Sequence, residues 1–235
     1  MTPILDTATR VLVGLDSSHL QDVPGLGLVH KDVVSPWRQL CAAARAEGFA
    51  LQLVSGYRSF ERQLAIFNAK AEGRRSVFDD CGQQVEMAKL GEYEQLQAIL
   101  RFSALPGTSR HHWGTDMDVV DAAALPPDYR VSLTPEECTP EGVFGGLHQW
   151  LNSYLEAGCD FYRPYGQDCG GVAPEPWHLS YAPVADQLAT RLTPSVLAPV
   201  LAAADIRLKD TVLKSLDSIF ERFVVSSVRG EVLRG

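Results

Sequence analysis

The sequence predicts a mixed domain of helices and short strands, followed by a helical extension, and three patterns lead to this prediction. Helix signals alternate with short apolar segments of strand length up to about residue 183. Clusters of glycine and proline separate these segments. Residues 185–235 contain no glycine before Gly230 and have the pattern of two or three helices. We therefore expect residues 1–184 to form the main domain and residues 185–235 to pack on it as a helical extension.

The first half of the chain alternates helix and strand signals. Ser35-Pro36 is typical of a helix start, with a capping hydroxyl and a proline in the first turn, and Gly48 ends that helix. Residues 49–54 have the pattern of a buried strand. Ser59 can cap a second helix, and a third is expected over residues 85–100.

The second half carries two more strands and an amphipathic helix. A loop over residues 105–114 leads into a short strand at residues 117–120. Residues 125–140 are turn-like, and the helix that follows begins near Phe144 and ends at Gly158. A last strand is expected at residues 178–181.

The predicted extension has its own start signal and an apolar stripe. Thr193-Pro194 is typical of a helix start. We expect the stripe to pack on the main domain, and a dimerisation arm is the alternative. The stripe consists of Leu208, Val212, Leu213, Leu216, Ile219, Phe220 and Phe223.

Composition and charge exclude several classes of partner. The formal net charge is -8, so nucleic acid and anionic membranes are unsuitable partners. No apolar run approaches the roughly 20 residues that cross a bilayer, and Asp6 and Asp16 interrupt the apolar patch near the N-terminus. We expect a cytoplasmic protein, with a periplasmic location left open if the given chain is a trimmed form. The five cysteines include no CxxC pair, which indicates reduced thiols, with a Cys159–Cys169 bridge as the alternative.

Three segments combine residue types that a hydrolytic metal site requires. Such a site needs three nitrogen or carboxylate ligands, an open position for water and a base within reach. His111 and Asp118 are seven residues apart, with Gly114 allowing a turn between them, and His178 can supply a third ligand. Glu175 lies three residues before His178, where it suits the role of the base. The segments are Ser55-Gly56-Tyr57-Arg58-Ser59 with Gln63, then residues 109–118, then Glu175-Pro176-Trp177-His178.

In this order, the patterns SGYRS, SxHxxGxxxD and ExWH resemble the D-Ala-D-Ala metallopeptidases of the VanY carboxypeptidase type. These belong to the superfamily of lysostaphin, hedgehog and VanX-like enzymes. The resemblance covers roughly residues 30–183. It implies an α+β domain with a small central antiparallel sheet flanked by helices. It also implies one zinc ion per chain, held by His111, Asp118 and His178, with Glu175 as the general base.

The resemblance also implies a set of substrate contacts. Arg58 matches an arginine that binds substrate oxygen near the scissile bond, and it can serve either the oxyanion or the terminal carboxylate. Gln63 and Ser109 match positions that help to hold the terminal residue, and Tyr165 matches a substrate-contacting tyrosine. Asp116 departs from the pattern, which often has alanine there. It adds negative charge near the metal or makes a local contact in the turn.

The remaining histidines and tryptophans have plainer interpretations. His112 is expected to support the site or to pack, since six residues to Asp118 does not fit the family pattern. His148 is expected at the edge of the core or on the surface. His19 and His30 are treated as structural. Trp113 and Trp177 suit either wall packing or substrate contact.

The predicted activity is therefore removal of a C-terminal D-alanine from peptidoglycan peptides or muropeptides. An L,D-carboxypeptidase acting on tetrapeptides is favoured, because a cytoplasmic enzyme would process recycled muropeptides. A D,D-carboxypeptidase acting on pentapeptides is the alternative. A non-catalytic zinc module and an endopeptidase that cuts within the stem peptide are the other candidates, and Glu175 argues against the former. The sequence does not indicate an oligomeric state.

Overall fold

The computed structural model describes residues 5–225 and has the expected α+β architecture. The strands are β1 (Leu20–Val23), β2 (Gly27–His30), β3 (Leu51–Ser55), β4 (Asp116–Asp121), β5 (Phe161–Tyr162) and β6 (His178–Tyr181). The helices of the main domain are α1 (Thr7–Leu12), α2 (Val34–Ala46), α3 (Phe60–Ala71), α4 (Glu92–Arg101) and α5 (Gly145–Glu156). The later helices are α6 (Ala182–Ala189), α7 (Pro194–Ala203), α8 (Lys209–Lys214) and α9 (Leu216–Phe220).

The central sheet is antiparallel and has the strand order β3-β4-β6-β5. Strand β4 lies inside this sheet, and all six of its residues are buried. Because side chains alternate along a strand, Met117 and Val119 lie on one face and Asp116 and Asp118 on the other. The apolar pair packs in a cluster with helices α2 and α5. The opposite face of β4 carries Asp116 and Asp118, followed by Val120.

A second apolar cluster holds the helical side of the molecule together. It combines α1, α3 and α4 with residues of α6 to α9. Val212, Leu216, Ile219 and Phe223 of the expected stripe are buried in this cluster. The stripe therefore packs on the helices of its own chain. Residues 226–235, the last part of the predicted extension, lie outside the described residues.

Local signals predicted some boundaries correctly and misplaced others. Ser59 does cap α3, since its side chain accepts a hydrogen bond from Arg62 N at 3.2 Å. Ser35 does not cap α2, because a 3-10 turn at Lys31–Val33 runs directly into that helix and places Ser35 inside it. The helix expected over residues 85–100 begins only at Glu92, after a bridge and a 3-10 turn.

Other differences concern short elements. The β1–β2 hairpin, strand β5 and helix α1 were not predicted, because they are too short to show a clear period. Residues 182–225 contain four helices, whereas two or three were expected over residues 185–235. Thr193 caps α7 as expected, with Oγ1 accepting from Val196 N at 3.3 Å. No disulfide joins Cys159 and Cys169. Within residues 5–225, no helix is long and apolar enough to span a membrane.

Candidate active site

The three predicted metal ligands meet on one face of the central sheet. One ligand atom from each of His111, Asp118 and His178 lies within 4.8 Å of the other two. His111 comes from a 3-10 turn at Arg110–Trp113, and Asp118 and His178 come from β4 and β6. All three residues are buried.

Two local features bring these side chains together. Gly114 ends the 3-10 turn with φ of 67°, in the left-handed region, and a Cβ there would meet the His30 backbone at 2.8 Å. This tight reversal sends the chain from His111 straight into β4. Asp118 is paired directly with His178 in the antiparallel register of β4 and β6. The two residues therefore project from the same face of the sheet.

The donor atoms have the spacing of ligands around one tetrahedral ion. His111 Nε2 lies 3.4 Å from Asp118 Oδ2, and His178 Nδ1 lies 3.3 Å from Asp118 Oδ1. Zinc bonds of about 2.0–2.2 Å at tetrahedral angles separate neighbouring ligand atoms by roughly 3.3–3.6 Å. Asp118 Oδ1 and His178 Nδ1 are buried, and neither has a hydrogen-bond partner among the described residues. Since buried polar atoms are almost always paired, these residues fit a bound metal ion.

In His111 and His178, the ring nitrogen that points away from Asp118 lies within hydrogen-bond distance of another protein group. His111 Nδ1 lies 2.9 Å from the carbonyl oxygen of Gly56, next to the SGYRS segment. His178 Nε2 lies 2.9 Å from Asp116 Oδ1. Such contacts fix the tautomer, so that the other nitrogen of each ring keeps its lone pair for a metal.

Asp116, for which the sequence left two interpretations open, adds negative charge beside the candidate metal ligands, because its Oδ1 lies 2.9 Å from His178 Nε2. It is not a turn residue, since it is the first residue of β4 and is fully buried. Besides His178, it accepts hydrogen bonds from Arg110 Nε at 2.9 Å and from Thr115 Oγ1 at 2.6 Å. The available signal was its place two residues before Asp118, which puts both carboxylates on one face of a strand.

A buried arginine balances the charge of Asp116. Arg110 also donates to Ser180 Oγ at 2.8 Å and to the hydroxyl of Tyr162, which in turn donates to Asp186 Oδ1 at 3.1 Å. Burial opposes the charged form of Arg110, but Asp116 outweighs it and raises the pKa of the guanidinium. The negative charge of Asp116 is therefore balanced by the positive charge of Arg110.

The two histidines of this cluster have opposite pKa shifts. Burial lowers the pKa of His111 to about 4, and Asp118 offsets this only in part. Burial also disfavours a charged His178, but Asp116, Asp118 and Glu175 outweigh it and raise the pKa of His178 well above its usual value. Negative charge therefore accumulates around His178, where a cation would be favoured.

Glu175 lies beside the metal ligands on the open side of the site. Its Oε2 is 3.2 Å from His178 Nδ1, and its side chain is 21% exposed, whereas those of the three ligands are 7% exposed or less. The backbone amide of Glu175 donates to the carbonyl oxygen of Tyr165 at 2.9 Å. Arg163 Nε donates to the Pro176 carbonyl oxygen at 2.6 Å and holds the segment from the other side. Glu175 is thus a partly solvated carboxylate on a fixed backbone.

Arg58 lies near the ligands and is held by neutral groups. It donates to Gln63 Oε1 at 2.9 Å and to Ser55 Oγ at 3.1 Å. Burial lowers its pKa, against the attraction of Asp118 and Glu175. Gln63 differs from the expected substrate contact, since it is fully buried and its Nε2 donates to the Ala104 carbonyl oxygen at 2.7 Å. In this structure Gln63 supports Arg58 instead.

The other predicted contact residues line one open cleft of about 210 Å³ above the ligands. Ser109, Tyr165 and Trp177 all contribute to its walls. The Tyr165 ring packs edge-on against His178, with ring centroids 5.0 Å apart. Leu133, from the turn-rich segment, forms another part of the wall and has a φ of 54°. Glu137 holds that segment by accepting from Leu133 N at 2.8 Å.

The remaining histidines lie outside the ligand set. His112 Nδ1 lies 2.6 Å from the Arg58 carbonyl oxygen, and its Nε2 accepts from Gly107 N at 3.1 Å, so it supports the Arg58 backbone. His148 is buried, not at the surface, and its Nδ1 lies 3.2 Å from an Arg163 nitrogen. Trp113 packs inside the core and donates to the Leu12 carbonyl oxygen at 2.9 Å.

Comparison with known protein families shows which family contains this chain. The family model of VanY, D-alanyl-D-alanine carboxypeptidase, matches residues 27–184. The chain belongs to the VanY family. As a VanY-family protein it is a metallopeptidase, a carboxypeptidase that acts on D-Ala-D-Ala or peptidoglycan peptides. All the candidate site residues lie inside the matched range.

The chain is also similar to individual proteins. An uncharacterized protein of Haemophilus influenzae is 32% identical over 123 residues, which is 52% of this chain and 93% of that protein. A D-alanyl-D-alanine carboxypeptidase of Enterococcus faecalis is 29% identical over 152 residues, covering 63% of this VanY-family chain and 46% of that protein. A crystal structure of a vancomycin resistance D,D-pentapeptidase VanY with Zn(II) is 20% identical, with a TM-score of 0.48 and coverage of 84% and 92%.

Proposed function

We propose that this protein is a zinc-dependent carboxypeptidase that removes the C-terminal D-alanine from peptidoglycan stem peptides. The observation that carries the proposal is the convergence of His111, Asp118 and His178, with Glu175 on the open side of the cleft. Bound there, one zinc ion would supply Lewis acidity to the peptide carbonyl and to the attacking water.

Glu175 is the proposed general base. Its carboxylate is partly exposed to the cleft and adjoins the ligand cluster, so it can take a proton from water and later deliver it to the leaving amine. A purely structural metal site would have no use for such a carboxylate. Glu175 therefore supports an enzyme over the alternative of a non-catalytic zinc module.

Arg58 is the proposed positive group for substrate oxygen. Its guanidinium lines the cleft and is held by Gln63 and Ser55, without a carboxylate within 4.0 Å among the described residues. Its charge is therefore available to a substrate carbonyl or carboxylate. Ser109, Tyr165 and Trp177 are the proposed wall contacts around the terminal residue.

Within this activity we propose an L,D-carboxypeptidase that trims tetrapeptides during muropeptide recycling in the cytoplasm. In that compartment a D,D-enzyme would destroy the pentapeptide precursors of the wall. The second candidate is a D,D-carboxypeptidase. The family description and the name of the Enterococcus faecalis relative, both D-alanyl-D-alanine carboxypeptidase, favour it.

Hydrolysis of defined muropeptides tests both levels of the proposal. The zinc-loaded protein is incubated with tripeptide, tetrapeptide and pentapeptide muropeptides, and the products are identified by mass spectrometry. Loss of one alanine from the tetrapeptide supports the L,D-activity, whereas loss of alanine from the pentapeptide alone overturns it in favour of the D,D-activity. No hydrolysis of any of them, with zinc bound, would favour the non-catalytic module. Chelation should abolish the activity, and added zinc should restore it.

A further inference from the structure

A leucine in an unfavourable backbone conformation forms part of the cleft wall. Leu133 lines the cleft, is only partly buried and has a φ of 54°, in the left-handed region. A bulky side chain rarely adopts this conformation, which suits glycine, asparagine and aspartate. Among residues 5–225, the other non-glycine residues with positive φ are Asp128 and Leu208, and neither lines the cleft. Since such strain is concentrated at functional sites, Leu133 is a candidate for a role in binding.

One buried carboxylate holds Leu133 in this conformation. Glu137 is 7% exposed, and it accepts from the hydroxyl of Tyr129 at 2.9 Å. Its two oxygens also accept from three successive backbone amides, those of Ser132, Leu133 and Thr134, at 3.0, 2.8 and 3.4 Å. Successive amides that converge on one anion fix a turn of the backbone. These contacts therefore all act on the segment that brings Leu133 to the cleft.

The walls of the cleft come from two groups of helices. In the first group, Gln63 of α3 accepts from Arg58 Nη1 at 2.9 Å and donates to the chain that follows α4. In the second group, the carbonyl oxygen of Glu137 accepts from Phe144 N at 2.8 Å, directly before α5, which joins the segment of Leu133 to that helix. Helices α3 and α4 pack in one apolar cluster and α5 packs in the other. Arg58 and Leu133 therefore belong to different walls of one cleft.

These two walls suit different parts of a bound peptide. Arg58 is the proposed partner of substrate oxygen at the scissile bond or the C-terminus, so the released residue belongs on its wall. The residue before the scissile bond then lies toward the wall that contains Leu133. A leucine side chain offers only apolar contact, so the group that it suits is an aliphatic chain. A D-Ala-D-Ala end presents no more than a methyl group at this position.

We propose that Leu133 packs against the side chain of the residue before the scissile bond and makes the enzyme prefer a long aliphatic chain there. This inference rests on the proposed carboxypeptidase activity and deepens it, because it assigns the preference for the preceding residue to one side chain. The ligand class is a peptide that ends in D-alanine and carries a long, largely aliphatic side chain on the residue before it. Leu133 is thus a specificity-determining residue whose direction is set by Glu137.

The test uses three peptides that end in D-alanine and differ only in the preceding residue, which is L-lysine, L-alanine or D-alanine. Leu133→Asn is the main variant, because asparagine tolerates positive φ and has a similar size but offers no apolar contact. We expect kcat/KM for the L-lysine peptide to fall about tenfold, the value of roughly two methylene groups removed from water. The change should lie in KM, since the contact is present before and during the reaction. The L-alanine peptide should be hydrolysed as by the wild type.

Two further variants keep the result interpretable. Leu133→Met restores an apolar side chain and should recover part of the preference for L-lysine. Leu208→Asn is the matched control, since Leu208 has a φ of 56° directly before α8 and lies outside the cleft. It makes the same exchange in the same backbone conformation, so the ratio of the two kcat/KM values should stay at that of the wild type. Zinc content and the thermal unfolding midpoint of each variant show that the metal site and the fold are intact.

The possible results separate this inference from the proposed function. An equal fall on the L-lysine and L-alanine peptides, or an unchanged ratio in Leu133→Asn, overturns the inference. Hydrolysis of the D-alanine peptide alone by the wild type also overturns it, while the carboxypeptidase activity stands. If the wild-type protein with zinc bound hydrolyses none of the three peptides, the proposed function fails, and this inference fails with it.

Discussion

His178 Nε2 lies 2.9 Å from Asp116 Oδ1, so a carboxylate holds the ring on the side away from His111 and Asp118, the other two candidate metal ligands. This contact leaves Nδ1 facing Asp118 and Glu175. Arg110 in turn forms an ion pair with Asp116 and balances its negative charge. The sequence SRHHWGTDMD thus contains both a ligand pair and the groups that support the third ligand.

Removing the charge of Asp116 should weaken metal binding. Asp116→Asn keeps the size of the side chain but takes away the anion that fixes the His178 ring. We expect the zinc dissociation constant to rise about 10–100-fold, as is usual for a lost carboxylate behind a ligand histidine. Competition with a chromophoric chelator measures this directly, without reliance on activity.

Asp121→Asn is the matched control for this variant. Asp121 is buried on the same strand, but its carboxylate accepts from the backbone amides of Ala50 and Ala123 at 2.9 and 3.0 Å. The Asp121→Asn variant should leave the zinc dissociation constant unchanged even if it lowers the stability of the protein. Equal loss of zinc affinity in both variants would show that general damage to β4, and not the contact with His178, is responsible.

Glu175→Gln should separate metal binding from turnover. Glutamine has nearly the same shape, so the ligand cluster remains and zinc binds at full stoichiometry. Because the amide cannot accept the proton of the attacking water, we expect kcat to fall by roughly two or more orders of magnitude. Steady-state hydrolysis together with metal analysis checks both parts. Near wild-type turnover would remove Glu175 from the role of base.

Arg101 should hold the loop that contributes Val172 to the wall of the cleft. Its guanidinium donates to Asp168 Oδ1 at 3.0 Å and to the Gly171 carbonyl oxygen at 2.9 Å, and Val172 lines the cleft. Arg101→Met should lower the free energy of local opening by about 1.4 kcal/mol and so speed proteolysis within residues 166–172 about tenfold. Limited proteolysis with mass spectrometry locates the cuts.

A surface arginine provides the comparison for this loop. Arg74 is exposed, and among residues 5–225 its one ion-pair partner is Glu72, in its own segment. Arg74→Met should leave cleavage within residues 166–172 at the wild-type rate. If Arg101→Met is cut no faster than the wild type, contacts other than this guanidinium hold the loop. Arg222, whose Nε donates to the Gly170 carbonyl oxygen at 2.7 Å, would then be the next residue to test.

His148 should make the metal-free protein sensitive to acid. Burial, together with the charge of Arg163, lowers its pKa to about 3, whereas an unfolded histidine has a pKa of about 6.5. As the pH drops below about 6.5, His148 is protonated in the unfolded chain but stays neutral in the folded chain. The free energy of unfolding therefore falls as the pH drops. Between pH 7 and pH 5 this site should cost about 2 kcal/mol of the free energy of unfolding.

His148→Gln should remove that share of the acid sensitivity. Denaturant unfolding at pH 7 and pH 5, with a chelator present, measures the difference in both proteins. The variant should lose about 2 kcal/mol less than the wild type on acidification. Above pH 7.5 the imidazole is neutral in both states, so the two proteins should there show the same pH dependence. An identical acid loss at pH 5 would contradict the buried neutral state.

Prediction from the sequence succeeded where the cause is local. The cap at Ser59 depends only on one hydroxyl and an amide three residues ahead, so it was visible in the sequence. The turn at Gly114 was likewise predicted from a residue that tolerates positive φ. Ser35 had the same cap signal and failed, because the preceding 3-10 turn continues into α2. A local signal cannot show what the neighbouring backbone does.

By itself, the sequence indicated the family and the mixed fold and predicted the set His111, Asp118, His178 and Glu175, since these depend on residue types at characteristic spacings. Only the tertiary structure decided which side chains hydrogen-bond to these residues and hold them in place. Asp116 reaches His178 across 62 residues of chain, because antiparallel pairing puts β4 beside β6. The pairing register and the packing of α3 against the cleft wall are properties of the whole fold, and no short stretch of residues encodes them.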